Sequence, residues 1–89
     1  MKCVISVLGK DRRGIVAKVS TCLYECDVNI DDMSQTRLGD MFSMTMMVTL
    51  NVEAATFDEV HNKLEAVGKD LGMQITLQRE DVFQFMYKV

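Results

Sequence analysis

Four stretches of the chain carry the residue patterns of β-strands. The first, from Lys2 to Leu8, is apolar at five of its seven positions, which is typical of a central strand packed on both faces. From Phe42 to Leu50 every second residue is apolar, so one face of that strand is predicted to be fully apolar. The stretches Val28 to Leu38 and Met73 to Arg79 are more polar, which favours positions at the edges of a sheet.

Two further stretches carry the periodicity of amphipathic helices. The first helix is predicted to begin near Arg12 and to end at Asp27, in a left-handed turn. Its apolar stripe consists of Ile15, Val19, Cys22, Leu23 and Cys26. The second is predicted to open with a capping box formed by Thr56 and Glu59 and to close at Gly72.

The second strand has a break in its alternation. Ile30 and Met33 cannot both face the core on a regular strand, so a bulge is predicted near Asp31 or Asp32. The dipeptide Gly39-Asp40 then predicts a tight hairpin turn into the third strand.

The order of these elements is strand, helix, strand, repeated once. This order predicts an α+β fold, a ferredoxin-like βαββαβ sandwich with a four-stranded antiparallel sheet, the first and third strands in its centre, and both helices on one face. Residues 1–79 form this domain, and residues 80–89 carry the pattern of a short C-terminal helix. That tail is too short to be stable alone, so we expect it to pack on its own domain or on a partner protomer.

Composition narrows the class of protein. The 89 residues are 48% hydrophobic, and no apolar run reaches the length of a membrane span or a signal peptide, so we expect a cytoplasmic protein without membrane contact. Three cysteines agree with a reducing compartment. The net charge of −3 and the lack of a basic stripe argue against nucleic acid as a partner.

The loop between the first strand and the first helix is the candidate anion site. The first amides of a helix lack intrahelical acceptors and carry partial positive charge, so a carboxylate or phosphate could bind at Arg13, Gly14 and Ile15. Gly14 has no β-carbon to obstruct it, and Arg12 adds positive charge. The alternative is that Asp11 caps the helix and satisfies these amides itself, which leaves an ordinary turn.

Metal or cofactor chemistry has little support in the sequence. Cys22 and Cys26 lie one helical turn apart, but the only other soft ligands, Cys3 and His61, are distant in the sequence, so no local set of four ligands for a structural zinc site is formed. We therefore expect no metal and no cofactor, and we interpret these cysteines as packing residues.

Four segments of the chain resemble the ACT domain: Gly9 to Ser20, Asn29 to Asp32, Ser34 to Thr36, and Val82 to Met86. The chain is most similar to the small stand-alone ACT proteins of bacteria and archaea, which are themselves similar to the halves of the glycine cleavage system transcriptional repressor. The resemblance implies a regulatory module that pairs side by side and binds amino acids at the protomer interface. By position, the site would be lined by Asp11, Arg12, Arg13, Gly14, Ile15, Asn29 and Ile30.

The sequence thus favours a non-catalytic regulatory homodimer that binds an amino acid or similar small carboxylate and acts on a regulated enzyme or regulator. One alternative is a dimerisation or protein-interaction subunit without a ligand. Another is an acylphosphatase-like hydrolase that uses Arg12, Arg13 and Asn29, although the glycine-rich loop of that family is missing.

Overall fold

The computed structural model describes residues 1–86, and for residues 84–86 it describes the backbone only. The elements in chain order are β1 (Lys2–Lys10), α1 (Ile15–Glu25), β2 (Asn29–Leu38), β3 (Met41–Thr49), α2 (Phe57–Leu71), β4 (Met73–Arg79) and α3 (Glu80–Met86). The last three residues of the predicted tail lie outside the described part of the chain.

The four strands form one antiparallel sheet in the order β2-β3-β1-β4. The ferredoxin-like prediction is therefore confirmed, with β1 and β3 in the centre and the two more polar strands at the edges. Thr49 of β3 lies opposite both Lys2 and Asn29, whereas Met41 lies opposite both Lys10 and Leu38. The first residue of β2 and the last residue of β1 are consequently at opposite ends of the sheet.

The hydrophobic core lies between α1, α2 and one face of the sheet. The alternation predicted for β3 is confirmed, because its core-facing residues are fully buried; they are Phe42, Met44, Met46 and Val48. Cys3, Ile5 and Val7 of β1 belong to the same cluster. Burial of each large apolar side chain contributes about 1.5–3 kcal/mol, which makes this layer the main source of stability.

The predicted helix ends are confirmed at three positions. The backbone N–H of Glu59 donates to Oγ1 of Thr56, and the N–H of Thr56 donates to Oε1 of Glu59, both at 3.2 Å. Gly72 ends α2 with a φ of 69°. Asp27 adopts a φ of 57° after α1, and the N–H of Val28 then donates back to the Leu23 carbonyl at 2.9 Å.

The start of α1 differs from the prediction. The helix begins at Ile15 rather than near Arg12, and its N-cap is Gly14, with a φ of 85°, so the alternative in which Asp11 caps the helix is not realised. The reason is that Asp11 has other partners: its N–H donates to the Asp40 carbonyl at 2.7 Å, and its carboxylate pairs with Arg37. Asp11 thus binds to the β2–β3 hairpin instead of capping the helix.

The C-terminal helix α3 follows β4 directly and contacts β1 and β4. Val4 alternates with the core-facing residues of β1 and so points to the sheet face opposite α1 and α2, yet it is only 1% exposed. Because α3 follows Arg79, which lies opposite Cys3, and contacts β1, it is the element placed to cover Val4. Leu38, at the far end of β2, is 80% exposed, so this second face is covered only in part. No helix within residues 1–86 is long and apolar enough to cross a membrane.

Candidate ligand-binding site

The loop between β1 and α1 forms the wall of an open cavity of about 460 Å³. The cavity is lined by residues 11–17 together with Arg37 and Phe42. The structure therefore brings five of the predicted site residues together in one place: Asp11, Arg12, Arg13, Gly14 and Ile15.

The first turn of α1 supplies the hydrogen-bond donors of this cavity. The carbonyl of Gly14 accepts the first helical hydrogen bond, from the N–H of Lys18 at 2.9 Å, and no side chain caps the helix. The N–H groups that precede Lys18 therefore lack an intrahelical acceptor. A β-carbon on Gly14 would meet no atom within 4 Å outside its two chain neighbours, and residues 14–17 line the cavity, so this turn lies beside open space. Uncapped amides that face open space attract an anion.

Arg37 is a residue of the cavity that the sequence analysis missed. It lies opposite Phe42 in the β2–β3 pairing, and its Cζ atom is 5.6 Å from the centroid of the buried Phe42 ring. Its Nε atom is 3.3 Å from Oδ2 of Asp11. The sequence could have indicated this position of Arg37. Beyond the bulge, Arg37 follows Met33 by four residues, and residues an even number apart on a strand face the same side of the sheet.

The charge around the cavity is predominantly positive. Three arginines, Arg12, Arg13 and Arg37, line the cavity together with one acidic residue, Asp11. Arg12 is anchored, since its Nη1 atom donates to the carbonyl of Leu71 at the end of α2. The lining thus attracts anions through side-chain charge as well as through the helix amides.

Asn29 and Ile30 lie far from this cavity within one chain. They are at the opposite end of the sheet, roughly 25 Å away for eight residue steps along a strand. Asn29 also faces away from α1 and α2, because its pairing partner Thr49 alternates with the buried Val48. The arrangement that an acylphosphatase-like hydrolase would need, with Asn29 beside the loop arginines, is therefore not formed within the chain.

The side chain of Asn29 instead holds the predicted bulge, which is confirmed at Asp31. Nδ2 of Asn29 donates to Oδ1 of Asp31, and Oγ1 of Thr49 donates to Oδ2, both at 2.6 Å. These two hydrogen bonds, that from Thr49 first, lower the pKa of the Asp31 carboxyl below its ordinary value. Because Asp31 is bulged out of the ladder, Ile30 and Met33 both face the helix side.

A second groove, of about 420 Å³, lies between α1 and α2. The ion pair between Lys18 and Asp70 crosses it, and the buried Cys22 lies at its base. Burial, and then the neighbouring Cys26, raises the pKa of the Cys22 thiol to about 11, so this thiol is a poor nucleophile. Among the described residues, no three His, Cys, Asp or Glu side chains are placed to hold a metal ion.

Comparison with known proteins places the chain in a family. The ACT domain model matches residues 2–78. A UPF0237 protein of Clostridium acetobutylicum is 43% identical over 89 residues and covers all of both chains. The solved structure of an ACT domain protein from Streptococcus pneumoniae is 42% identical, with a TM-score of 0.81 over 94% of each chain.

The same fold is found in the crystal structure of a putative glycine cleavage system transcriptional repressor. That structure superimposes with a TM-score of 0.77 at 22% identity, over 86% of this chain and 44% of that one. The resemblance found in the sequence is thus confirmed by the family model, by a relative of equal length and by the fold. The chain belongs to the ACT domain family.

Proposed function

We propose that this protein is a non-catalytic regulatory module that binds a free amino acid or similar small carboxylate at the interface of a homodimer. ACT domains are typically regulatory ligand-binding modules. The observation that carries the proposal is the uncapped start of α1, which faces an open cavity with Asp11 at its rim.

The cavity has complementary groups for both ends of an amino acid. A ligand carboxylate accepts hydrogen bonds from the first-turn amides of α1, between Gly14 and Lys18. A ligand ammonium donates to the carboxylate of Asp11, which is close enough to the cavity to pair with Arg37. Gly14 leaves room for the ligand because it has no side chain.

The exposed edge of β2 supports pairing with a second copy. With Asp31 bulged out, the ladder from Asn29 to Leu38 has Ser34 at its centre. A twofold axis through Ser34 would join two β2 strands antiparallel and extend the sheet, which satisfies the unpaired backbone groups of both edges.

This pairing would bring Asn29 and Ile30 of one copy to the cavity of the other. In the register centred on Ser34, Ile30 of the second copy lies opposite Arg37, and both side chains face the helix side of the sheet. Ile30 would then shield the cavity mouth from solvent. Asn29 would contribute to the site indirectly. Its hydrogen bond to Asp31 stabilises the bulge, and the bulge turns Ile30 toward the helix side of the sheet. In this dimer Ile30 of the second copy would join the five loop residues at the cavity, whereas Asn29 would act only through the bulge.

A ligand-free interaction subunit is the second candidate. The observation that favours it is the exposed Leu38 beside the unpaired β2 edge, since such surfaces serve association without any ligand. A thermal-shift screen against the twenty amino acids separates the two. We expect at least one amino acid to raise the melting temperature in proportion to the logarithm of its concentration. A flat response to all of them, from a dimer, would favour the interaction subunit.

A further inference from the structure

The Asp11–Arg37 ion pair lies at the rim of the cavity, where a ligand group can replace either partner. The Arg37 side chain is 61% exposed and that of Asp11 34%, and the two atoms in contact are 3.3 Å apart. An ion pair in such a position contributes little to stability, so a ligand can replace either partner at small cost. Within residues 1–86, Asp11 is the only ionic partner of Arg37.

Binding of a ligand ammonium to Asp11 changes the surroundings of Arg37. The guanidinium then shares its only anionic partner with a competing cation, while it remains held against the Phe42 ring. A ligand with a second carboxylate restores the lost pairing, and a ligand with a neutral side chain does not. Arg13 has the same sign and lines the same cavity, so it adds to this preference.

We infer that the ligand is a dicarboxylic amino acid, and that Arg37 binds its second carboxylate. This inference rests on the proposed function and assigns to its site a residue and a ligand class. The first carboxylate accepts from the α1 amides, the ammonium donates to Asp11, and the side-chain carboxylate takes the place of Asp11 at Arg37. An Arg fork matches a carboxylate in this role, and the contact with the Phe42 ring keeps the Arg37 guanidinium beside the cavity.

Titration calorimetry with four amino acids tests the ligand class. L-aspartate and L-asparagine have nearly the same shape and differ in the second charge, as do L-glutamate and L-glutamine. We expect the tighter of the two acids to bind about ten- to a hundred-fold more strongly than its amide, the ratio expected for a hydrogen-bonded charge. An amide that binds as tightly as its acid would overturn the inference and leave the proposed function intact.

Variants at Arg37 test the residue. Arg37→Gln should reduce the acid-over-amide ratio to near one, and Arg37→Lys should retain part of it, since the charge remains and the fork is lost. The matched control is Arg79→Gln, which removes a positive charge paired with Asp81 at the other end of the sheet and should leave the ratio unchanged. Circular dichroism establishes that each variant is folded.

The remaining outcomes separate the two claims. A ratio that survives unchanged in folded Arg37→Gln would overturn the assignment to Arg37. An equal fall in Arg79→Gln would show a general effect of net charge and would also overturn it. If none of the twenty amino acids binds the wild-type protein, the proposed function fails, and the inference fails with it.

Discussion

Nε of Arg37 lies 3.3 Å from Oδ2 of Asp11, and this contact joins the end of the edge strand β2 to the loop that begins the candidate site. The two residues are far apart in the sequence, and neither belongs to the hydrophobic core. The pair therefore couples the strand at which a second copy would dock to the cavity in which a ligand would bind. In a side-by-side dimer, we expect changes at one of these surfaces to reach the other through Arg37.

The β2 edge predicts a specific response to charge at Ser34. Because a twofold axis through Ser34 places the two copies of this residue opposite each other, Ser34→Asp should weaken the dimer by up to about 1 kcal/mol, as like charges do across strands. Sedimentation velocity over a dilution series measures the change. Ser43→Asp, an exposed position on the same face of β3, is the control and should leave the dimer unchanged.

A charge-reversal pair makes this test more selective. Ser34→Lys alone should weaken the dimer in the same way, whereas an equimolar mixture of Ser34→Asp and Ser34→Lys should form a heterodimer at least as stable as the wild type. A mixture that remains as dissociated as either variant alone would contradict the Ser34 register.

Asp31 predicts a pH dependence at the bulge. Thr49 and Asn29 donate hydrogen bonds to its carboxylate, so its pKa in the folded protein is lower than in the unfolded chain. These bonds therefore stabilise the fold above the unfolded value of about 3.9, and their contribution is lost as the pH falls through the folded pKa. Asn29→Ala should raise the Asp31 pKa, measured by carbon-13 NMR of the carboxyl group. Asn62→Ala, on an exposed face of α2, should not change it.

The buried Cys22 predicts a difference in reactivity between folded and unfolded protein. With a pKa of about 11, the thiol is almost entirely protonated at pH 8, and the thiolate is the reacting form. Ellman's reagent should modify Cys22 slowly in the native protein and rapidly in guanidinium chloride, with Cys22→Ala to identify its signal. Native modification of Cys22 at the rate of free cysteine would show that the groove between α1 and α2 opens in solution.

The packing of α3 predicts a moderate loss of stability on truncation of Phe83. This side chain is half-buried, and α3 contacts the strands around the buried Val4. Phe83→Ala should lower the free energy of unfolding by about 1–2 kcal/mol, less than the 3–5 kcal/mol of a fully buried phenylalanine. Urea denaturation measures it. Tyr24→Ala is the control, because Tyr24 is 84% exposed and its loss should cost less than about 0.5 kcal/mol. Equal effects of the two variants would mean that α3 does not pack on the sheet.

Local patterns in the sequence were sufficient to predict most of the fold. The parity break between Ile30 and Met33 predicted the bulge, and the Thr56–Glu59 box predicted the start of α2. Both depend on residues within a few positions of one another. The start of α1 was predicted wrongly because the partners of Asp11, Asp40 and Arg37, come from the β2–β3 hairpin, which local patterns around Asp11 do not include.

The candidate site was predicted only in part, for a topological reason. The loop residues are contiguous, so the sequence placed them together. Arg37 lies at the cavity because of strand pairing, and its position could be predicted only by following the parity of β2 past the bulge. Asn29 follows α1, which carries the chain to the other end of the sheet, so it can approach the cavity only in an assembly of two copies.

Titration calorimetry of Gly14 variants with the best amino acid from the thermal-shift screen tests the central claim most directly. Gly14 and Gly72 both have a left-handed backbone that asparagine tolerates, but only Gly14 lines the cavity. We predict that Gly14→Asn abolishes binding because its side chain fills the ligand space, and that Gly72→Asn binds as the wild type does. Unchanged binding by folded Gly14→Asn would show that the ligand binds elsewhere and would contradict the account.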